Sequence, residues 1–176
     1  VFCNQRKITA RTAAPTVDEV KNRIDTWLTT LGEVPTVEIA FYGGSFTGLE
    51  LAEQSSYLAI AKGYKDRGLI DKIHLSTRPD YIDSEILNNL KVYLVDTIEL
   101  GVQSFDDEVL RRSNRGHTST AVYEAVSLIK EHGFEFGIQL MIGLPGDSLE
   151  TCIYSAKDTV KLKPSLTRLY PTIVID

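Results

Sequence analysis

Short apolar, β-rich runs recur along this chain at a regular beat, with a stretch of helical period between each and the next. They are Val37–Tyr42, Ile73–Leu75, Val95–Val102, Phe134–Ile142 and Leu166–Ile175. Parallel strands cannot be joined by a tight turn; each crossover needs a dozen or more residues, usually a helix. A spacing of about 25 to 40 residues per unit therefore reads as βαβ units and a parallel sheet. The intervening helices are expected at Leu51–Asp66, Asp83–Leu90, Thr118–Glu131 and Leu149–Leu162, with Asp147 or Ser148 capping the last. Ahead of the first strand, Val17, Val20, Ile24, Trp27, Leu28 and Leu31 repeat at threes and fours, one face of a further helix. Thr16-Val17-Asp18-Glu19 supplies its capping box, and Gly32 and Pro35 close it.

A length of 176 residues fits one domain, 1–176, with a sizeable core. It falls short of the roughly 250 residues of a closed eight-unit barrel. The expected fold class is therefore α/β, a partial (β/α) barrel with parallel strands, truncated at both ends; the first residue, Val1, is not a Met. An open doubly wound sheet is the competing architecture. The barrel arc is favoured because polar motifs follow every strand and do not gather at one switch point.

Hydrophobic residues make up 43% of the chain and charged residues 24%, close to globular averages, so disorder is not suggested. No apolar stretch reaches about 18 residues, and no membrane partner is expected. A net charge of −5 argues against a nucleic-acid binder that uses its whole surface, though not against a local basic patch. Two cysteines, Cys3 and Cys152, make no disulfide framework, and a cytoplasmic location is the simplest expectation. Cys152 reads as a buried, inert thiol on a helix. His74, His117 and His132 have no metal spacing, and no Ser-His-Asp order or HExxH is present.

In parallel α/β folds ligands gather at the carboxyl ends of the strands, and five polar motifs lie there. Gly43-Gly44-Ser45-Phe46 follows the first run: a tight turn, or a place where backbone approaches a ligand closely. It has neither GxGxxG nor GK[ST] spacing. Ser76-Thr77-Arg78-Pro79-Asp80 follows the second; Arg78 suits an anion, and Asp80 a turn or cap. Gln103 and Ser104 end the third. Arg115 follows Gln103 by 12 residues; its planar guanidinium could grip a carboxylate at two points, whereas Arg111 and Arg112 read as a solvated helix end. Gln139 is a polar residue inside an apolar strand and needs a partner. Gly143-Leu144-Pro145-Gly146 leads from the fourth run into the last helix.

STRPDYID, ELGVQSFDDEVLRRSNRGHT and LYPTIVID together resemble the radical S-adenosylmethionine (SAM) superfamily, in its branch around the catalytic subunit of Elongator and the oxygen-independent coproporphyrinogen oxidases. The likeness extends over nearly the whole chain. It implies that Cys3 is the last ligand of a CxxxCxxC-type motif holding a 4Fe-4S cluster, with the other two cysteines upstream. It implies further that Gly43, Gly44 and Ser45 hold the amino group of SAM, and that Ser76 and Arg78 face SAM or an anionic substrate. Gln103, Ser104 and Arg115 would also bind SAM, with Arg115 pairing to its carboxylate. Gln139 would contact the ribose and Leu144 pack near adenine.

The activity so implied is cleavage of SAM by one electron from the cluster to give a 5′-deoxyadenosyl radical, in the service of tRNA modification. The partners would be tRNA or a small molecule, and an electron donor such as flavodoxin or ferredoxin. Without the two upstream cysteines the chain by itself is expected to be inactive. The acetyltransferase domain of Elongator is not in this sequence, so acetyl transfer is not implied. Two alternatives stay open: a coproporphyrinogen-oxidase-like oxidoreductase, and a cluster-less RNA-binding or scaffold domain.

Overall fold

The computed structural model of the chain describes residues 14–173; Cys3 and the end of the expected last strand lie outside them. Five strands form one sheet in sequence order, β1 (Glu38–Phe41), β2 (Lys72–Thr77), β3 (Thr97–Gln103), β4 (Glu135–Ile142) and β5 (Leu166–Pro171). Every neighbouring pair is parallel. The sheet curls into a half-barrel with its helices outside: α1 (Val17–Thr30), α2 (Leu51–Asp66), α3 (Ser84–Val92), α4 (Asp107–Arg112), α5 (Ser119–Glu131) and α6 (Leu149–Leu162). The doubly wound alternative is set aside by this unbroken order, which has no switch point.

Local chemistry explains the helix limits. Thr16 and Glu19 make the expected reciprocal capping box on α1. Asp83 caps α3 from outside it and accepts from Ile86 N, so the helix starts at Ser84 and runs on to Val92. Ser148, not Asp147, is the cap of α6. The six-residue stripe expected on α1 is narrower in fact: Val20, Ile24 and Leu28 pack on the core, while Trp27 is 65% exposed. The last strand stops at Pro171, after which Thr172 N makes one more bond, to the Ile142 carbonyl at 2.8 Å.

Alternate residues of each strand face opposite sides of a sheet. Ile73, Leu75, Ile98, Leu100, Phe136, Ile138 and Leu140 point outward and form the core against Leu58, Leu87, Val122, Val126 and Ile129 of the helices. Residues of the other parity, Lys72, His74, Thr97, Glu99, Glu135, Gln139 and Arg168, line the concave face. The hydrophobic effect thus works on the convex side of this arc, and the hollow is polar.

Candidate functional site

Loops after β1 to β4 come together on one rim, the carboxyl end of the sheet. Gly43, two residues past β1, takes φ +112°, a conformation open to glycine and strained for other residues, and it and Gly44 are exposed. The half-buried Ser45 begins a single 3-10 turn, Phe46–Gly48. That turn is tied to the next loop by Thr47 Oγ1, 2.6 Å from Thr77 Oγ1 and 2.7 Å from the Tyr81 carbonyl.

The β3 end is the most specific part. Register slips between Gly101 and Gln103, and Gln103 sits at φ +71° without being glycine. Such strain persists only where the surroundings impose it, and it clusters at ligand sites. A Cβ on Gly101 would stand 2.8 Å from Arg115 Nη2 and 2.9 Å from Gln103 Nε2, so both side chains converge over the bare α-carbon. Arg115 Nη2 donates to the Gly101 carbonyl at 2.6 Å, and its Nε donates to His117 Nε2 at 3.3 Å. Burial, opposed by the Thr118 carbonyl and aided by the Arg115 charge, holds the His117 imidazole below its ordinary range. It is therefore neutral: Nδ1–H faces the Thr118 carbonyl at 3.3 Å, leaving the Nε2 lone pair for Arg115. His117 has no assigned role in the sequence reading; its place here is to aim the guanidinium.

Arg78 approaches the same corner, since a Cβ on Gly116 would stand 2.8 Å from its Nη2. Its guanidinium is held by Asp80 through two bonds, 2.9 and 2.6 Å, so Asp80 serves Arg78 rather than capping a helix. Ser76 is buried at the end of β2 and accepts from Gln139 Nε2 at 3.4 Å. Gly143 and Gly146 both take positive φ, and the loop between them buries Leu144. Asp147 fastens it, accepting from Gly143 N at 2.9 Å and from Thr151 Oγ1 at 2.6 Å.

The structure thus brings Ser76, Gln139, Gln103, Arg115 and Arg78 to one rim. It does not bring Ser104 there: its hydroxyl lies 3.2 Å from Ser155 Oγ of α6 and takes the Asp106 amide at 3.1 Å, behind the strand. Arg111 and Arg112 share Glu108 and stay exposed; together they pull its carboxyl down to about 2. Cys152 is half-buried, not buried, and its thiol donates to Asp147 Oδ2 at 3.0 Å. Among the described residues, no three His, Cys, Asp or Glu side chains are grouped to hold a metal ion.

Beneath the rim lies a group that the sequence reading missed. Glu99 is fully buried on the concave face, with Oε2 accepting from Tyr42 Oη at 3.0 Å and standing 3.1 Å from His74 Nε2. His74 Nδ1 is in turn 3.1 Å from Glu38 Oε1. Arg168, on the last strand, bonds the phenol of Tyr42 beside the first strand and stacks 4.7 Å from its ring centroid. Side chains from the two ends of the sheet therefore meet across the hollow. A signal for this cluster existed: polar residues alternate with apolar ones through β2, at Lys72, His74 and Ser76, and at Thr97 and Glu99 of β3.

A family model of the radical SAM superfamily matches residues 1–158. The chain belongs to the radical SAM superfamily. Elongator complex protein 3 of Homo sapiens is 37% identical over 117 residues, covering 64% of this chain and 21% of that protein. The Dictyostelium discoideum protein of the same name is 30% identical over 178 residues, 89% of this chain and 32% of its own length. A tRNA uridine(34) acetyltransferase of Methanocaldococcus jannaschii is 32% identical over 105 residues, 58% of this chain and 19% of that protein. The chain thus spans about a fifth to a third of these relatives. Among solved structures, archaeal Elp3 of Methanocaldococcus infernus superposes with TM-score 0.77 at 24% identity, over 91% of this chain and 42% of the other. Coproporphyrinogen III oxidase of Escherichia coli does so with TM-score 0.69 at 21% identity, over 99% and 39%. Both support the half-barrel read as part of a radical SAM barrel. No helix among the described residues is long and apolar enough to cross a membrane.

Gly101→Ala tests the rim directly. Both atoms its Cβ would meet end flexible side chains, which can step aside. The unfolding midpoint is expected to move little, while SAM affinity, measured by calorimetric titration of the full-length protein, falls about tenfold.

Proposed function

We propose that this chain is the core of a radical SAM enzyme that modifies tRNA at a uridine. The observation that carries the reading is the convergence of Gln103 and Arg115 on the side-chain-free Gly101 at the carboxyl rim. Arg115 would hold the SAM carboxylate, with His117 keeping its fork in plane. The exposed backbone at Gly43 and Gly44 would take the amino group, the Ser76–Gln139 pair the ribose, and the Leu144 loop the adenine. Arg78, neutralised in part by Asp80, stands at the edge where an RNA phosphate could reach it. The cluster, held through Cys3 and cysteines upstream, would supply the electron that splits the sulfonium bond of SAM. The residues present fit SAM: a guanidinium, a cradle that a Cβ would fill, and an amide–hydroxyl pair. The tRNA reading is supported by the relatives named for uridine(34) acetyl transfer and is weakened for coproporphyrinogen, where the support is likeness of fold at 21% identity.

Arg115→Ala tests it. Loss of a charge-assisted, two-point pair is expected to cost about 1.5–3 kcal/mol, roughly ten- to hundredfold in SAM affinity. Arg115→Lys keeps the charge without the fork and should recover part of the loss. Arg111→Ala, which leaves Glu108 paired with Arg112, should bind SAM like the parent. Equal binding by the Arg115→Ala variant in calorimetry would remove the assignment.

A further inference from the structure

The concave wall holds an acceptor that the SAM site does not use. Glu99 is 0% exposed, and its Oε1 accepts no hydrogen bond. The nearest charge to that oxygen is Arg168 Nε, 3.4 Å away and out of line. The opposite residue on β4 is Gly137, where a Cβ would stand 2.7 Å from Leu166 Cδ1 and 3.2 Å from Glu99 Cγ, so its bare α-carbon leaves room for both side chains. Against the cost of burial, His74, Gln139 and Tyr42 hold Glu99 as a carboxylate, and Oε1 keeps a lone pair open to a donor.

What covers Oε1 is informative. The guanidinium of Arg168 is planar, carries N–H groups along its edge, and lies stacked 4.7 Å over the Tyr42 ring with Nε toward Glu99. That is the seat that a planar, N–H-bearing heterocycle would take: an aromatic face on one side and a carboxylate at the edge. Arg168 belongs to the terminal strand, its side chain is 40% exposed, and its approach to Glu99 is poorly aligned, so it is a replaceable occupant. A ring nitrogen bearing a proton, as at N3 of uracil, satisfies this acceptor; a carboxylate-rich substrate does not, since it would meet Glu99 with like charge.

We propose that Glu99 is a specificity-determining residue, whose Oε1 accepts the N3–H of a uracil base stacked on Tyr42 in the place that Arg168 occupies in the free protein. The inference rests on the tRNA-modifying reading above and adds the side chain that would recognise the base.

The test uses the full-length protein and two short RNA hairpins that differ at one loop position, uridine or 3-methyluridine, with affinity read by fluorescence anisotropy. The parent protein is expected to bind the uridine hairpin about tenfold more tightly, the loss attached to an unpaired buried acceptor. In Glu99→Met, which keeps the length of the side chain and has no oxygen to accept the N3–H, the discrimination should collapse toward one. In Arg168→Ala the discrimination should be kept or enlarged, because the occupant is gone. Equal affinity of the parent for both hairpins, or undiminished discrimination in Glu99→Met, overturns the proposal while leaving the tRNA reading standing. Failure of the parent to bind either hairpin removes both. The methylated hairpin needs no substitution in the protein, so the question is decided even if Glu99→Met does not fold.

Discussion

Cys3→Ala is expected to abolish the visible charge-transfer absorption of the anaerobically reconstituted full-length protein, and SAM cleavage with it. An iron–sulfur cluster of this class needs its thiolates, and the loss of one leaves an iron unheld. Cys152 offers no substitute. Burial first, then the Asp147 carboxylate, push its thiol above the ordinary range, so it stays protonated and ligates poorly. Cys152→Ala should therefore keep the full absorption. A cluster retained in Cys3→Ala would remove Cys3 from the ligand set, and one lost in Cys152→Ala would overturn the inert reading of Cys152.

Glu99→Ala is expected to be the most destabilising single change on the concave wall, at about 3–5 kcal/mol in urea unfolding. It strips Tyr42 of an acceptor and leaves Arg168 and His74 without the charge they share. Glu38 remains beside His74, which places the value toward the lower end. Glu135→Ala, on the same wall but held by the half-exposed Lys72 and a long bond from Thr97, should stay within about 1 kcal/mol. The pH dependence follows from the same pair. Burial works to lower the His74 pKa, but the bonds to Glu99 and Glu38 outweigh it and raise it. Its contribution is complete below the ordinary imidazole value, about 6.5, and is lost as pH rises through the raised one. Burial likewise works to raise Glu99, and His74, Gln139 and Tyr42 prevail and lower it. Its contribution is complete above the ordinary carboxylate range and disappears as pH falls through the lowered value. Stability should peak between, and His74→Gln should flatten the alkaline side; an unchanged alkaline limb would show that the imidazole is not charged in the folded state.

The fold was readable because the strand–helix beat leaves few topologies open, and the parallel order, the outer helices and the arc follow from it. Most strand limits moved by no more than two residues, while the last strand ends at Pro171, short of the expected Ile175, and the helix capped by Asp83 begins one residue later than expected. The rim was readable in part. Gln103 and Arg115 stand together as their spacing suggests, because the chain between them is one short helix. Ser104 was misleading: it lies past the end of β3, and its hydroxyl is taken up by Ser155 of α6 and the Asp106 amide. The interior cluster escaped because its members come from four strands and the β1 loop, far apart in sequence. Glu99 by itself, amid Ile98, Leu100 and Val102, looks like an interruption in an apolar run. Only the sheet register sets it beside Ser76 and near His74.

The meeting of Tyr42 with Arg168 has a mechanical side. Among the described residues few apolar side chains face the hollow, Leu166 being one, so drawing the ends of the sheet apart wets little apolar surface. Only a few polar contacts must be exchanged with water, each at a modest cost. The arc is accordingly stiff in its shell and compliant in its span, like a spring clip whose jaws are held by a single catch. Its aperture can widen to the size of a guest without loosening the outer core that keeps the chain folded.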